Sequence, residues 1–160
     1  MRIRAYEKRD YDRVLEICVS AFAPIHRGFE EALGSKIFDR RYHDWKEKYA
    51  EYLGGISTSD PAVKVYVVED AGTVVAFVFT ILDRERKIGE IGLNAVDPDR
   101  QGKGIGKMMY AFALEDLKAR GAEIAYVGTG GDSAHAPARA AYEAVGFDRA
   151  IPALHYFRTL

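Results

Sequence analysis

Val96-Asp97-Pro98-Asp99-Arg100-Gln101-Gly102-Lys103-Gly104-Ile105-Gly106-Lys107 places three glycines in alternation with Lys103 and Ile105, then runs into an apolar pattern of helical period. Glycine opens backbone conformations with φ > 0 and lets a ligand approach the amides closely. A helix start adds unpaired N–H groups and the positive end of the macrodipole, so a turn of this kind suits phosphate. The stretch therefore points to a pyrophosphate-bearing ligand.

Counting residues narrows the ligand. A P-loop needs G-x-x-x-x-G-K-[ST]. Here only three residues separate Gly102 from Gly106, and Met108 stands where a Mg²⁺-binding hydroxyl belongs. A dinucleotide fingerprint needs G-x-G-x-x-G. Starting at Gly102 puts Lys107 in the last place, and starting at Gly104 puts Met109 there. Neither nucleotide loop fits.

Working outward, Ile88 to Val96 reads as a strand that Asp97-Pro98-Asp99 ends, because proline cannot donate to a ladder. Val63–Glu69 and Thr73–Leu82, joined by Asp70-Ala71-Gly72, read as a hairpin. After the glycines, Ile105, Met108, Met109, Phe112 and Ala113 form a helical stripe, and Gly121 fits its C′ position. Ile124 to Val127 reads as a short buried strand, and Gly128, Gly130 and Gly131 open a loop ending in Asp132-Ser133. Ala138, Ala141, Tyr142 and Val145 predict a last helix with Pro137 in its first turn and Gly146 at its end. Leu154 to Phe157 reads as a final strand.

The first third is less regular. Ile3 to Tyr6 predicts a strand, and Asp10 an N-cap for a helix with Val14, Ile17, Cys18 and Ala21 on one face, ended by Pro24. Ile25 to Gly34 reads as loop or broken helix. Phe38, Tyr42, Trp45, Tyr49, Tyr52 and Leu53 recur at helical spacing, either as core packing or as part of a substrate pocket. Gly54-Gly55 through Pro61 is a cluster of helix breakers. The chain shows no repeat, low-complexity tract or linker, which predicts one α/β domain over residues 1–160.

Composition excludes other classes. With 160 residues, 48% hydrophobic and 29% charged, the chain has the balance of a soluble globular protein. A net charge of −1 gives no general affinity for polyanions, so nucleic acid is not an expected partner. Cys18 is the single cysteine, which rules out an internal disulfide and places it on an apolar stripe as a structural thiol. No apolar run reaches membrane-spanning length and Met1-Arg2-Ile3-Arg4 opens no signal peptide, so no membrane and a cytoplasmic setting are expected. His26, His43 and His155 lack ligand spacing, so no metal is expected.

Gln101, Gly104 and Gly106 do match Q-x-x-G-x-G, and the stretch resembles the pyrophosphate loop of the GNAT superfamily of N-acetyltransferases. A second match lies in the last helix, where His135, Ala138, Tyr142, Gly146 and Phe147 follow the family's spacing of Asn, Ala, Tyr and Gly-Phe, with His135 in place of the Asn. The resemblance covers the order of elements from about Val63 onward. It implies a GNAT-like α/β fold with a central mixed, mostly antiparallel sheet flanked by helices. It also implies acetyl-coenzyme A as acyl donor, an amine as acceptor, and the dimers that are frequent in the family. The amides of Gln101, Gly102, Lys103, Gly104, Ile105 and Gly106 would hold the pyrophosphate, with Lys103 or Lys107 adding charge or simply solvated. Asn94, Ala95 and Val96 would pair with the pantetheine arm, which His135 and Ala138 would also contact.

Acetyl transfer needs the thioester polarised, the amine deprotonated and the thiolate protonated. Glu90, a carboxylate among Ile88, Ile91 and Leu93, is the expected base; by alternation it shares a face with Gly92 and Asn94. The bland alternative is a solvent-facing or arginine-paired carboxylate. Tyr142 holds the family's thiolate-protonating place, though it also lies on an apolar stripe where a core tyrosine would sit. His135 serves as an alternative base or as a helix cap, and Asp132 as an attractor of a cationic acceptor or as an N-cap. Phe22, His26 and Phe29, with Tyr42 and Trp45, are where the acceptor should touch. The competing functions are a coenzyme-binding domain without catalysis and an enzyme that transfers a longer acyl group.

Overall fold

Two runs of β-branched and aromatic residues begin the sheet. In the computed structural model, which describes residues 1–56 and 60–160, they form β2 (Val63–Asp70) and β3 (Thr73–Asp83), an antiparallel hairpin. β1 (Arg2–Ala5) adds to β2, β4 (Ile88–Val96) adds antiparallel to β3, and β5 (Ile124–Val127) lies parallel to β4 at the far edge. The sheet is therefore mixed and mostly antiparallel, in the order β1-β2-β3-β4-β5. The central strand β3 is buried continuously from Val74 to Thr80, as expected of a strand covered on both faces.

Helices supply both covers. On one face α1 (Tyr11–Leu33) and α3 (Trp45–Gly54) bury Val14, Ile17, Cys18 and Leu53 against Val65, Val67, Phe77 and Phe79. On the other, α4 (Ile105–Ala119) and α5 (Ala136–Glu143) pack Met109, Ala113, Leu117 and Tyr142 onto Val78, Leu82 and Ile91. The short α2 (Ser35–Arg41) joins α1 to α3. Burial pushes the Cys18 thiol up to about 12, so it is a packed, unreactive group. Among the described residues no helix is long and apolar enough to cross a membrane.

α4 seats so closely on β4 that a Cβ at Gly89 would lie 2.8–3.0 Å from the side chain of Leu117, itself 1% exposed. Leu117 is buried and one of the close atoms is its Cβ, which a change of rotamer does not move, so Gly89→Ala should lower unfolding free energy by about 1–3 kcal/mol, as read in urea or thermal denaturation. An unchanged denaturation midpoint would show that α4 can slide.

β5 is an exposed edge rather than the buried strand expected, with Ile124 60% and Tyr126 53% exposed, and four further expectations are corrected. α1 does not end at Pro24 but runs through it to Leu33, taking in Ile25 to Gly34 almost entirely. Pro24 and Ser20 are both exposed, so the carbonyl that loses its partner at Pro24 faces water. The aromatic stripe forms two helices, α2 and α3, broken at Tyr42–Asp44, and residues 57–59 of the following breaker cluster lie outside the described residues. Asp10 precedes α1 but makes no side-chain cap. Its carboxylate instead accepts from Arg4 at 2.7 and 2.8 Å and from the Glu7 amide at 2.9 Å. Leu154 to Phe157 forms no strand: the segment is exposed and pairs with no strand among the described residues.

The register of β4 holds the most consequential irregularity. Asn94 faces Val78 and Ile91 faces Thr80, so Gly92 and Leu93 together oppose the single residue Phe79. This bulge shifts the alternation by one. Glu90, Gly92 and Leu93 look toward α1 and α3, whereas Asn94 looks toward α4 and α5. The expectation that Glu90 and Asn94 share a face fails for this reason.

Candidate active site

β4 and β5 pair only from Ile88/Ile124 to Ile91/Val127. Among the described residues the outer edge of β4 is open beyond Ile91, and a cavity of about 640 Å³ occupies the gap, lined by Gly92 to Val96 on one side and Gly128 and Thr129 on the other. Because it passes between strands, it collects side chains from both faces of the sheet. Glu90 and Phe22 enter from the α1 side, and Asn94, His135, Ala138 and Tyr142 from the α5 side.

The glycine turn closes one end. Gly102 and Gly104 have φ of +75° and +77°, conformations that side chains rarely adopt, and Gly104 takes the N-cap position of α4. The turn is tied to the end of β4, since Gln101 Nε2 donates to the Val96 carbonyl at 3.2 Å. Asp97 caps the 3₁₀ turn Pro98–Arg100 by accepting from the Asp99 amide at 3.0 Å, and it is also paired with Arg13 of α1. A Cβ on Gly106 would meet only ordinary contacts, 3.6 Å from Tyr110 and 3.8 Å from Ala141. Gln101, Gly102, Gly104, Ile105, Gly106 and Lys107 line the cavity, while Lys103 lies outside the lining. Amides at a helix start, in a turn whose alternate positions are glycines, can receive a pyrophosphate.

At the middle of the gap Asn94 organises two tyrosines. Tyr110 Oη donates to Asn94 Oδ1 at 2.7 Å, and Asn94 Nδ2 donates to the Gly92 carbonyl at 2.8 Å and to Tyr142 Oη at 3.2 Å. Tyr142 is thus held as an acceptor. Its other contact, to Asn94 Oδ1 at 3.4 Å, is long and competes with Tyr110, so its own proton can be directed into the cavity. Burial, reinforced by Tyr142, raises the Tyr110 pKa far above the ordinary tyrosine range, so Tyr110 stays a donor. Sequence reasoning missed Tyr110. The available signal was its i+4 spacing from Gly106, which puts it over the same turn.

His135 and Asp132 form a dyad, Nδ1 to Oδ2 at 2.6 Å. The same carboxylate caps the 3₁₀ turn Ser133–His135 by accepting from the His135 amide at 3.2 Å, and Arg139 Nη1 braces the loop through the carbonyls of Gly130 and Asp132 at 2.6 and 2.7 Å. A Cβ on Gly130 would fall 2.4 Å from His135 Nδ1 and 2.5 Å from Asp132 Oδ2, so the backbone is pressed against the dyad. Partial burial would push the Asp132 carboxyl up, but His135 holds it below the usual carboxylate range. Asp132 does not itself line the cavity; it positions His135, which does. His135 stands at the start of α5 without making a side-chain cap there.

The remaining acceptor candidates divide. His26 lines a second cavity, of about 370 Å³, together with Tyr42, Trp45, Tyr49 and Tyr52. Phe29 lines neither cavity and packs edge-on against His26 at 5.6 Å. Tyr52 and Leu93 border both cavities. Glu90 lines the first cavity together with Tyr52, and burial, then the charge of Glu90, raise the Tyr52 pKa.

Residues 24–147 match the family described as Acetyltransferase (GNAT) family. The mycothiol acetyltransferase of Thermomonospora curvata is 29% identical over 141 residues, covering 83% of this chain and 44% of that protein. The chain spans less than half the length of the curated relatives it matches. Among solved structures, a GNAT family acetyltransferase from Brucella melitensis in complex with acetyl-CoA superposes with a TM-score of 0.63 at 21% identity, covering 92% of this chain and 82% of that one. The PaiA N-acetyltransferase of Thermoplasma acidophilum in complex with coenzyme A gives 0.70 at 17% identity, covering 92% and 89%.

Proposed function

Since this chain belongs to the GNAT acetyltransferase family, we propose that it transfers the acetyl group of acetyl-coenzyme A to a primary amine, with Glu90 as base and Tyr142 as acid. The observation that carries this reading is the gap in the sheet, which sets a carboxylate from one face and a tyrosine hydroxyl from the other into one cavity beside the glycine turn. The turn amides would take the pyrophosphate. Asn94, Ala95 and Val96, on a strand edge without a partner, would pair with the pantetheine arm, and an amide of the bulged segment would polarise the thioester carbonyl.

An alkyl ammonium group has a pKa of about 10, so it must lose a proton before it can attack. Glu90 accepts that proton, and the free amine attacks the thioester carbon. The resulting tetrahedral centre collapses, the C–S bond breaks with its electron pair on sulfur, and the Tyr142 hydroxyl supplies a proton to the thiolate. Glu90 passes its proton to water, and the second nitrogen proton reaches the Tyr142 phenolate through water, which restores both groups. The dyad supports a second reading for the base. Asp132 engages His135 Nδ1, and Nε2 then carries the lone pair.

Amine-dependent release of coenzyme A thiol from acetyl-coenzyme A, screened over amines and peptide N-termini, tests the function. An amine related to mycothiol belongs on the panel because of the named relatives. Tyr142→Phe should lower kcat by about 10²-fold with the coenzyme Kd unchanged. Coenzyme binding without thiol release on any amine would instead make the chain a binding module.

A further inference from the structure

The second cavity is walled by aromatic rings and centred on a histidine. His26 is 7% exposed, and both of its ring nitrogens lack a hydrogen-bond partner among the described residues. It stacks on Trp45, with centroids 4.1 Å apart and planes at 11°, and meets Tyr42 and Tyr49 edge-on at 6.1 and 6.0 Å. Burial lowers its pKa to about 4, so the imidazole is neutral and offers one donor and one acceptor. A phenylalanine would stack equally well without burying two unpaired nitrogens, so the imidazole is costly unless something pairs with it.

We propose that this cavity receives the far end of the acceptor, and that the acceptor is a primary amine carrying an uncharged aromatic ring with a hydrogen-bonding substituent. The inference rests on the acetyltransferase reading above. Continuity supports it: Tyr52 and Leu93 border both cavities, so an amine at Glu90 can extend past them to His26. Charge selects the class. The aromatic faces and the carboxylate that could hold a second ammonium already have cations, with Arg41 5.3 Å from the Tyr42 ring, Lys46 5.4 Å from the Trp45 ring and Lys48 2.9 Å from Asp44. A diamine would meet repulsion there, whereas a flat neutral ring would meet Trp45, Tyr42, Tyr49 and Tyr52.

The test compares tyramine, phenethylamine, hexylamine and 1,4-diaminobutane in the thiol-release assay, using the full chain and variants shown by acetyl-coenzyme A binding to be folded. kcat/KM should fall in that order, with about tenfold or more between phenethylamine and hexylamine. Trp45→Leu should bring that ratio near one. His26→Phe should raise Tm, by removing unpaired nitrogens, and abolish the advantage of tyramine over phenethylamine. Thiol release with equal use of all four amines, best use of the diamine, or an aromatic preference that survives Trp45→Leu would overturn the inference alone. No thiol release with any amine would overturn the acetyltransferase reading, and this inference with it.

Discussion

Glu90→Gln lowers kcat/KM by about 10²–10³-fold near neutral pH, and the loss shrinks as pH rises. The size follows from the acceptor. With an ammonium pKa of about 10, roughly one amine in a thousand is free near pH 7, so a base that removes the proton within the complex recovers up to that factor. Each unit of added pH supplies about tenfold more free amine from solvent, so the variant approaches the parent enzyme under alkaline conditions. The glycine turn is unaffected, and the coenzyme Kd should not move. The pH–rate profiles of both proteins, with isothermal titration of coenzyme A, make the measurement. A ratio near one across the pH range would remove Glu90 from the chemistry and leave His135, held by Asp132, as the base to mutate next.

Asp116→Ala should be the most destabilising single change outside the apolar core, at about 3–5 kcal/mol and a Tm lower by about 10 °C or more. Asp116 projects from α4 onto the sheet, where it accepts from Tyr66 Oη at 2.7 Å, Thr80 Oγ1 at 3.0 Å, Arg120 Nη1 at 3.0 Å and Lys64 Nζ at 3.3 Å. Arg120, with a side chain 9% exposed, also donates to Thr80 at 2.9 Å and to the Ala62 carbonyl at 2.5 Å. Removing the carboxylate leaves a buried guanidinium and two hydroxyls short of an acceptor, the costly direction in which to break such a network. Asp116→Asn, which keeps an acceptor oxygen, should lose less.

The same network sets an acid limit. Burial works to raise the Asp116 pKa, but Tyr66, Arg120 and Thr80 hold it below the ordinary value. Asp10 is likewise lowered, by Arg4. A depressed carboxylate contributes stability that is complete above its unfolded value of about 4 and is lost as pH falls through the folded value. Parent and Asp116→Asn proteins should therefore differ in denaturation midpoint at neutral pH and converge in acid. A difference that persists in acid would make the effect steric.

What could be read beforehand depended on how local its cause was. The glycine turn, the β2–β3 hairpin, β4, β5 and α4 were legible because each is determined by residues adjacent in sequence: positive-φ glycines, a turn between two apolar runs, a 3.6-residue period. Pro24, read locally, is a helix breaker, which predicts too short an α1. Yet Phe22, Ile25 and Phe29 continue the stripe of Val14 and Cys18, and packing of His26 on Trp45 holds the second half. The break at Tyr42–Asp44 has the same origin: it turns Tyr42 and Trp45 toward one histidine, a contact between helices that periodicity does not encode. Leu154 to Phe157 has strand composition, but composition does not supply a neighbour. Glu90, Asn94 and Tyr142 stand out in the sequence as residues, but their arrangement does not, because an insertion of one residue in β4 is visible only against its partner.

That extra residue has a consequence for comparing sequences. Gly92 and Leu93 act as a parity change: before them even-numbered positions of β4 look one way, and after them the other. An ungapped alignment of this strand to a regular one would assign every residue from Asn94 onward to the wrong side of the sheet. It would set the organiser of the two tyrosines among the acceptor's contacts. Relatives of this chain are best compared by first asking whether they carry the doubled position, and only then which side chains follow it.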